Sequence, residues 1–245
     1  MHAPTLVFEL PGASPALFLV LEASTSVGSV ALIADGSPVA VRPVAMGAGR
    51  EDQLFPAVQA LLAEAGVTAQ QLAGVVCGAG PGSFTSLRIA ASLAKGLAHG
   101  AGVPLFAVSS LLLAAADAAD AGEASVHGPA VVHADALRGE RYVLDVIFDA
   151  DGRVQSQSAL QRMTMEQLDA HAAGHPRFAV LGSPCPERES RIVTPTSTSL
   201  PRVAASAWMS AVPLDCWEPE YGRMAEAQVK WEAAHGAPLP SHRDA

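Results

Sequence analysis

Three groupings of residues in this chain have types and spacings suited to chemistry. The first is Gly78–Ser83, Gly-Ala-Gly-Pro-Gly-Ser, between the apolar run Gly74-Val75-Val76-Cys77 and a long apolar segment free of proline. A strand, a glycine-rich turn and a helix N-terminus in that order can present backbone N–H groups to an anion such as phosphate. No Lys-Ser/Thr follows the glycines, so this is not a Walker A loop, and Ser83 stands where the dinucleotide fingerprint has its last glycine. Gly80, Gly82 and Ser83 are thus candidates for a residual phosphate-binding turn. The alternative is a tight strand-to-helix connection in which Ser83 or Thr85 caps the helix.

The second grouping is Glu22 and Asp135, each at the end of an apolar run and ahead of a small polar turn. Two carboxylates across a cleft can do general acid–base work. The turn after Glu22 carries Ser24, Thr25 and Ser26 but no lysine, so two acids alone make a weak triphosphate site. The third is His171 and His175, which would share a helix face and could share a metal. Gly174 and Pro176 end helices and no carboxylate lies between the histidines, so this reads as a solvent-facing helix end. There is no Gly-x-Ser-x-Gly elbow, and no Ser/His/Asp set is suggested by spacing. The expectation is a chain with no catalytic residues and no metal ligands of its own.

Several elements must position these groups. Leu17–Glu22 is a buried strand, Ser29–Ala34 a second and Val39–Val44 a third, with Asp35-Gly36 as the hairpin turn. A helix is expected over Arg50–Ala65, with Leu54, Phe55, Val58, Leu61, Leu62 and Ala65 on one face and Gly66 ending it. Strand 74–77, helix 84–100, strand Leu105–Val108 and an alanine-rich helix from about Ser109 to Ala121 follow. In helix 84–100, Arg88, Ser92, Lys95 and His99 form one polar stripe and nearly everything else is apolar or small. Such a helix is buried on two sides or offers a second face to a partner chain.

Three strands, helix, strand, helix, strand, helix is the order of the actin/Hsp70/sugar-kinase core. In active kinases and ATPases of that fold, aspartates near the first turns position metal-bound phosphates. Beyond Ala121–Pro129 the pattern partly repeats: strand Ala130–His133, turn Asp135–Glu140, strand Tyr142–Phe148, the Asp151-Gly152 hairpin and a third strand from Val154. This reads as a degenerate internal duplication, with chance as the alternative because Asp-Gly hairpins are common. Helix Met165–Ala172, strand Phe178–Leu181, a loop over 183–200, helix Arg202–Val212 and a terminal helix Tyr221–Ala234 complete the expectation. The fold class is α/β: two duplicated actin-like (ribonuclease H-like) lobes, with mixed sheets flanked by helices. The division is a tail over 1–16, a first lobe over 17–122 and a second, degenerate lobe over 123–245.

With 245 residues, 50% of them hydrophobic and 16% charged, the chain can build one large core or two ordinary ones. Its net charge of −9 makes it a poor grip for nucleic acid by itself, because phosphate contacts need clustered Lys and Arg. Cys77, Cys185 and Cys216 are far apart, and suggest neither a disulfide framework nor a zinc knuckle. The start, MHAPTLVFELPGASPA, lacks the basic region of a signal peptide, and no stretch approaches a membrane span. A reducing cytoplasm fits.

The run GPGSFTSLRI followed by AKGLA resembles the signature of the bacterial TsaB (YeaZ) family. LVLEASTSVGSVAL and LFPAVQALLAEAGV match that family too, DALRGERYV is similar to its Asp-Ala-Arg-x-Gly-Glu-x-Tyr segment, and PEYGRMAEAQVKWE to its Pro-x-Tyr-x-Arg tail. The chain departs from the family with Glu22 for Asp, Ser86 for Gly, and Glu51-Asp52 where a His-Thr/Ser pair is usual. In the catalytic relatives the metal histidines lie on that same helix, so the metal site is missing where the resemblance would put it. The resemblance implies a non-catalytic scaffold subunit for threonylcarbamoyl transfer to the adenosine beside the anticodon of tRNAs reading codons that begin with A. It implies homodimers, and heterodimers with the catalytic paralogue TsaD, through first-lobe helices. It also implies an ATPase, TsaE, in a larger complex, tRNA only through that complex, and ATP and metal on the partners rather than here. The residues expected at the partner surface are Leu54, Val58, Leu61, Leu87, Ala90, Leu93, Ala94 and Leu97. The rival readings are an autonomous ATPase or small-molecule kinase of the same fold, and a metal-dependent hydrolase.

Overall fold

The computed structural model describes residues 16–46, 53–120, 127–182 and 190–221. Strands β1 (Leu17–Glu22), β2 (Val27–Ala34) and β3 (Ser37–Ala45) form an antiparallel meander. Helix α1 (Leu54–Ala65) leads to β4 (Gly74–Gly78), which pairs parallel to β1. Helix α2 (Phe84–Ala101) then crosses to β5 (Leu105–Val108), parallel to β4. The start of the expected helix Arg50–Ala65, the boundary segment after Ala121 and the terminal helix beyond Tyr221 lie outside the described residues.

Helix α3 (Ser110–Asp120) precedes a second sheet: β6 (Gly128–Asp135), β7 (Glu140–Phe148), β8 (Val154–Ser156) and β9 (Gln161–Thr164), then α4 (Met165–His171), β10 (Arg177–Val180) and β11 (Arg191–Val193). The first sheet runs β5-β4-β1-β2-β3, with a short sixth strand beside β5, and the second runs β11-β10-β6-β7-β8, with β9 also on β7. These are the same topology, an antiparallel meander with two parallel strands added beside its first strand. This is the duplication expected from the repeated strand–turn–strand pattern.

Alternation along the strands sorts side chains to the two faces of each sheet. Val20, Ala31, Ile33, Val76 and Val108 point inward from the first sheet, and Val132, Leu144, Val146, Phe178 and Val180 from the second. Leu111, Leu112, Leu113 and Ala115 of α3 fill the space between them, so both lobes share one continuous core. Leu19, Leu21, Val30 and Val75 point outward, under α1 and α2.

The segment after β11 departs from expectation. Residues 183–200 were expected to be loop, yet Arg191–Val193 is a strand parallel to β10 and Ser197–Arg202 is a 3-10 turn. A helix was expected over Arg202–Val212, and only a single 3-10 turn, Ala205–Ala207, forms there. The two ends of the segment are taken by the sheets instead: Val203 bridges Val154, Ala204 N–H donates to the Val154 carbonyl, and β12 (Ala211–Val212) pairs with β5. The chain after Thr194 thus returns to the first sheet, although its sequence range was assigned to the second lobe. Ser29 Oγ accepts from the Ser197 N–H at 2.8 Å, and Asp117 accepts from the Thr194 N–H at 3.1 Å, pinning the crossing.

Candidate functional site

The glycine turn lies at the C-terminal ends of β1 and β4, and three of its backbone N–H groups are used inside the chain. The Ala79 N–H donates to the Val108 carbonyl at 2.7 Å, the Gly80 N–H to Ser110 Oγ at 3.1 Å, and the Ser83 N–H to the Ser24 carbonyl at 2.8 Å. The glycines serve close approach of chain to chain. A Cβ on Gly78 would run into the Glu22 carboxylate, and one on Gly82 into the Ser24 backbone. Gly80 has φ +87°, and a Cβ there would meet the Glu220 carbonyl. Of the two readings of Gly80, Gly82 and Ser83, this geometry is that of a tight connection. Ser83 caps α2, as expected, by accepting from the Ser86 N–H, and the buried Ser86 hydroxyl reaches Ser83 Oγ at 3.0 Å.

Glu22 is fully buried at the centre of this arrangement. Oε1 accepts the Ser24 N–H at 2.6 Å and Oε2 accepts the Ser110 hydroxyl at 2.8 Å. Burial pushes its carboxyl above the usual range, opposed by the hydrogen bonds from Ser24 and Ser110. Burial also pushes the adjacent Cys77 thiol up, with help from Glu22.

Asp135 is held in its own network. Oδ1 accepts from the Leu137 N–H at 3.0 Å and from the nearly buried Arg141 at 3.1 Å. Leu137 and Arg138 have φ of +61° and +52°, a conformation unfavourable for branched and long side chains, and Leu137 is exposed. The Asp135 carboxylate thus braces a strained turn. Behind it His133 is buried, its pKa pushed down to about 4 by burial and by Arg141 and Arg177. His171 does not join His175: its Nε2 lies 2.6 Å from Asp145 on β7.

Of the eight residues expected at a partner surface, Leu54, Val58, Leu61, Leu87, Ala90 and Ala94 are buried in the chain's own interior, and Leu93 and Leu97 are half-buried. The reason is that one sheet face absorbs the apolar stripes of both helices. What α2 offers to solvent includes a stripe of Thr85, Arg88, Ser92, Gly96 and His99.

A second flank of α2 is covered by a strap that the sequence reading did not foresee, Pro213–Tyr221. Trp217 lies under Lys95, with Nζ 5.9 Å from its ring. The Glu220 N–H donates to the Ala79 carbonyl at 2.7 Å, and the Tyr221 ring meets Phe84 at 4.7 Å. Burial and Glu218 push the Tyr221 hydroxyl up to about 12. The aromatics of 217–221 were the available signal, but nothing in their spacing specifies α2 as their partner.

A family model described as TsaD: tRNA N6-adenosine threonylcarbamoyltransferase matches residues 41–173. The tRNA threonylcarbamoyladenosine biosynthesis protein TsaB of Haemophilus influenzae is 33% identical over 129 residues, 53% of each chain. TsaB of Escherichia coli is 35% identical over 94 residues, 38% of this chain and 40% of that one. The matches therefore span about half or less of these relatives' lengths. The solved structure of YeaZ from Pseudomonas aeruginosa superposes with a TM-score of 0.70 at 26% identity, covering 84% of this chain and 99% of that one. The chain belongs to the TsaD-type family that this model describes, on its TsaB (YeaZ) branch.

Proposed function

We propose that this chain is a non-catalytic scaffold subunit in threonylcarbamoyl transfer to the adenosine beside the anticodon of tRNAs reading codons that begin with A. It works by pairing with a catalytic, metal-bearing TsaD-type paralogue. The observation that carries the reading is the glycine turn, whose backbone donors at Ala79, Gly80 and Ser83 are used within the chain. Such a turn organises α2 for contact with protein rather than for catalysis. The exposed stripe of α2, small at Ser92 and Gly96, is the surface offered to a second helix. A second copy of the chain and the catalytic paralogue compete for it, and a TsaE-type ATPase joins the larger assembly. ATP and metal reside on those partners. The net charge of −9 supports contact with tRNA only through the complex. No helix among the described residues is long and apolar enough to cross a membrane, and a cytoplasmic setting follows from the substrate.

The test is depletion of the protein, followed by mass spectrometry of the modified nucleoside in total tRNA. Loss of the modification, restored by the parent chain and not by Ser92→Glu, is expected. Unchanged modification after full depletion, with no second copy of the family present, overturns the reading.

A further inference from the structure

The sequence offers the first hairpin turn and the glycine turn as the places where a nucleotide's phosphates could be held, and the residues present here do not fit one. The turn Ala23–Ser26, the glycine turn and the N-terminus of α3 converge on one point. That point is filled by a side chain of the chain itself. Glu22 Oε1 takes the Ser24 N–H and Oε2 takes the Ser110 hydroxyl, which in turn takes the Gly80 N–H. Gly78 leaves no room for a further atom, because the carboxylate already fills the place a Cβ there would take. Glu22 is 0% exposed, and Gly80 and Ser110 are buried with it.

We propose that Glu22 is a built-in ligand: its carboxyl group occupies the position a phosphate would need and closes the first lobe to nucleoside phosphates. Two donors that could hold a ligand oxygen instead hold Oε1 and Oε2. The same contacts draw β1, the glycine turn and α3 together, as a bound ligand would. The chain therefore carries permanently a contact that a nucleotide-binding relative would make only when loaded. An aspartate at this position would be one methylene shorter and would draw its carboxyl group back from Ser110. The inference does not depend on the pairing reading, because every readout below uses the isolated full-length chain.

The experiment is thermal unfolding of the parent, Glu22→Ala and Glu22→Gln, each with Mg·ATP, pyrophosphate, sodium formate or sodium chloride at matched ionic strength. The parent is expected to show no midpoint shift with ATP or pyrophosphate, and none with formate beyond that with chloride. Glu22→Ala leaves the donors of Ser24 and Ser110 without their acceptor. Its midpoint should fall, and formate should raise it by ~2–4 °C over chloride by refilling the position. Glu22→Gln keeps the volume and should stay folded and blind to ATP and pyrophosphate. It carries the test if the alanine variant does not fold. Three results overturn the proposal. One is a parent stabilised by Mg·ATP or pyrophosphate. Another is a glutamine variant that binds either. The third is a folded alanine variant that formate does not stabilise.

Discussion

At the scale of single residues, Glu22 sets a pH dependence. A carboxyl group whose pKa is higher in the fold than in the unfolded chain binds its proton more tightly in the fold. Its contribution is complete below the ordinary value of 4.5 and is lost as pH rises toward the folded value. Glu22→Gln cannot titrate. The parent should therefore lose stability relative to that variant as pH is raised from about 4.5 toward neutrality. Urea unfolding at a series of pH values measures this, and a parent that instead gains on the variant contradicts it. The glycines give a second residue-scale contrast. Gly78→Ala drives a methyl group into the Glu22 carboxylate and should cost about 1–3 kcal/mol or more. Gly96 has nothing within 4 Å of an added Cβ, so Gly96→Ala should stabilise α2 by about 0.5–1 kcal/mol. Paired denaturation curves decide between the two signs.

At the scale of the element, α2 has three environments. Leu87, Ala90, Ala94 and Ala98 face the sheet, Phe84 and Lys95 meet the strap, and Arg88, Ser92 and His99 face solvent. Ala94→Glu would bury an unpaired charge and should cost about 3–5 kcal/mol, so its effect on pairing would be a folding effect. Ser92→Glu lies on the open stripe and should change stability by no more than about 0.5 kcal/mol. At the centre of a pairing surface it should weaken association by ~100-fold. Sedimentation of both variants separates the cases: a folded Ser92→Glu that associates like the parent places the surface on another element.

At the scale of the whole molecule, α3 is the wedge between two sheets. Leu113 is fully buried in the core that both share. Leu113→Ala should cost about 3 kcal/mol and lower the stability of both lobes together. Calorimetry should show one transition, with the calorimetric enthalpy equal to the van't Hoff value. Two transitions, only one of them moved by the substitution, would mean that the lobes fold independently.

The sequence by itself determined the order of elements in the first lobe, the duplicated strand–turn–strand unit, a hydroxyl cap at Ser83 or Thr85 and the polar stripe on α2. These are local: alternation, 3.6-residue spacing, an Asp-Gly turn and a capping hydroxyl act over a few neighbours and are written in the chain. The family signature was legible for the same reason, being one continuous run from Gly78. What the tertiary structure alone decided was which side of each apolar helix is spoken for. Leu54, Val58 and Ala94 look identical in sequence whether a sheet or a partner covers them, because burial of apolar area has no direction. Residues 202–212 looked helical by composition, but their backbone groups found better-placed partners on Val154 and β5, far away in sequence. The role of Glu22 was hidden likewise. An acid at a strand end reads as a site for a ligand, and only the convergence of Ser24, Gly78 and Ser110, distant along the chain, makes it the occupant of that site.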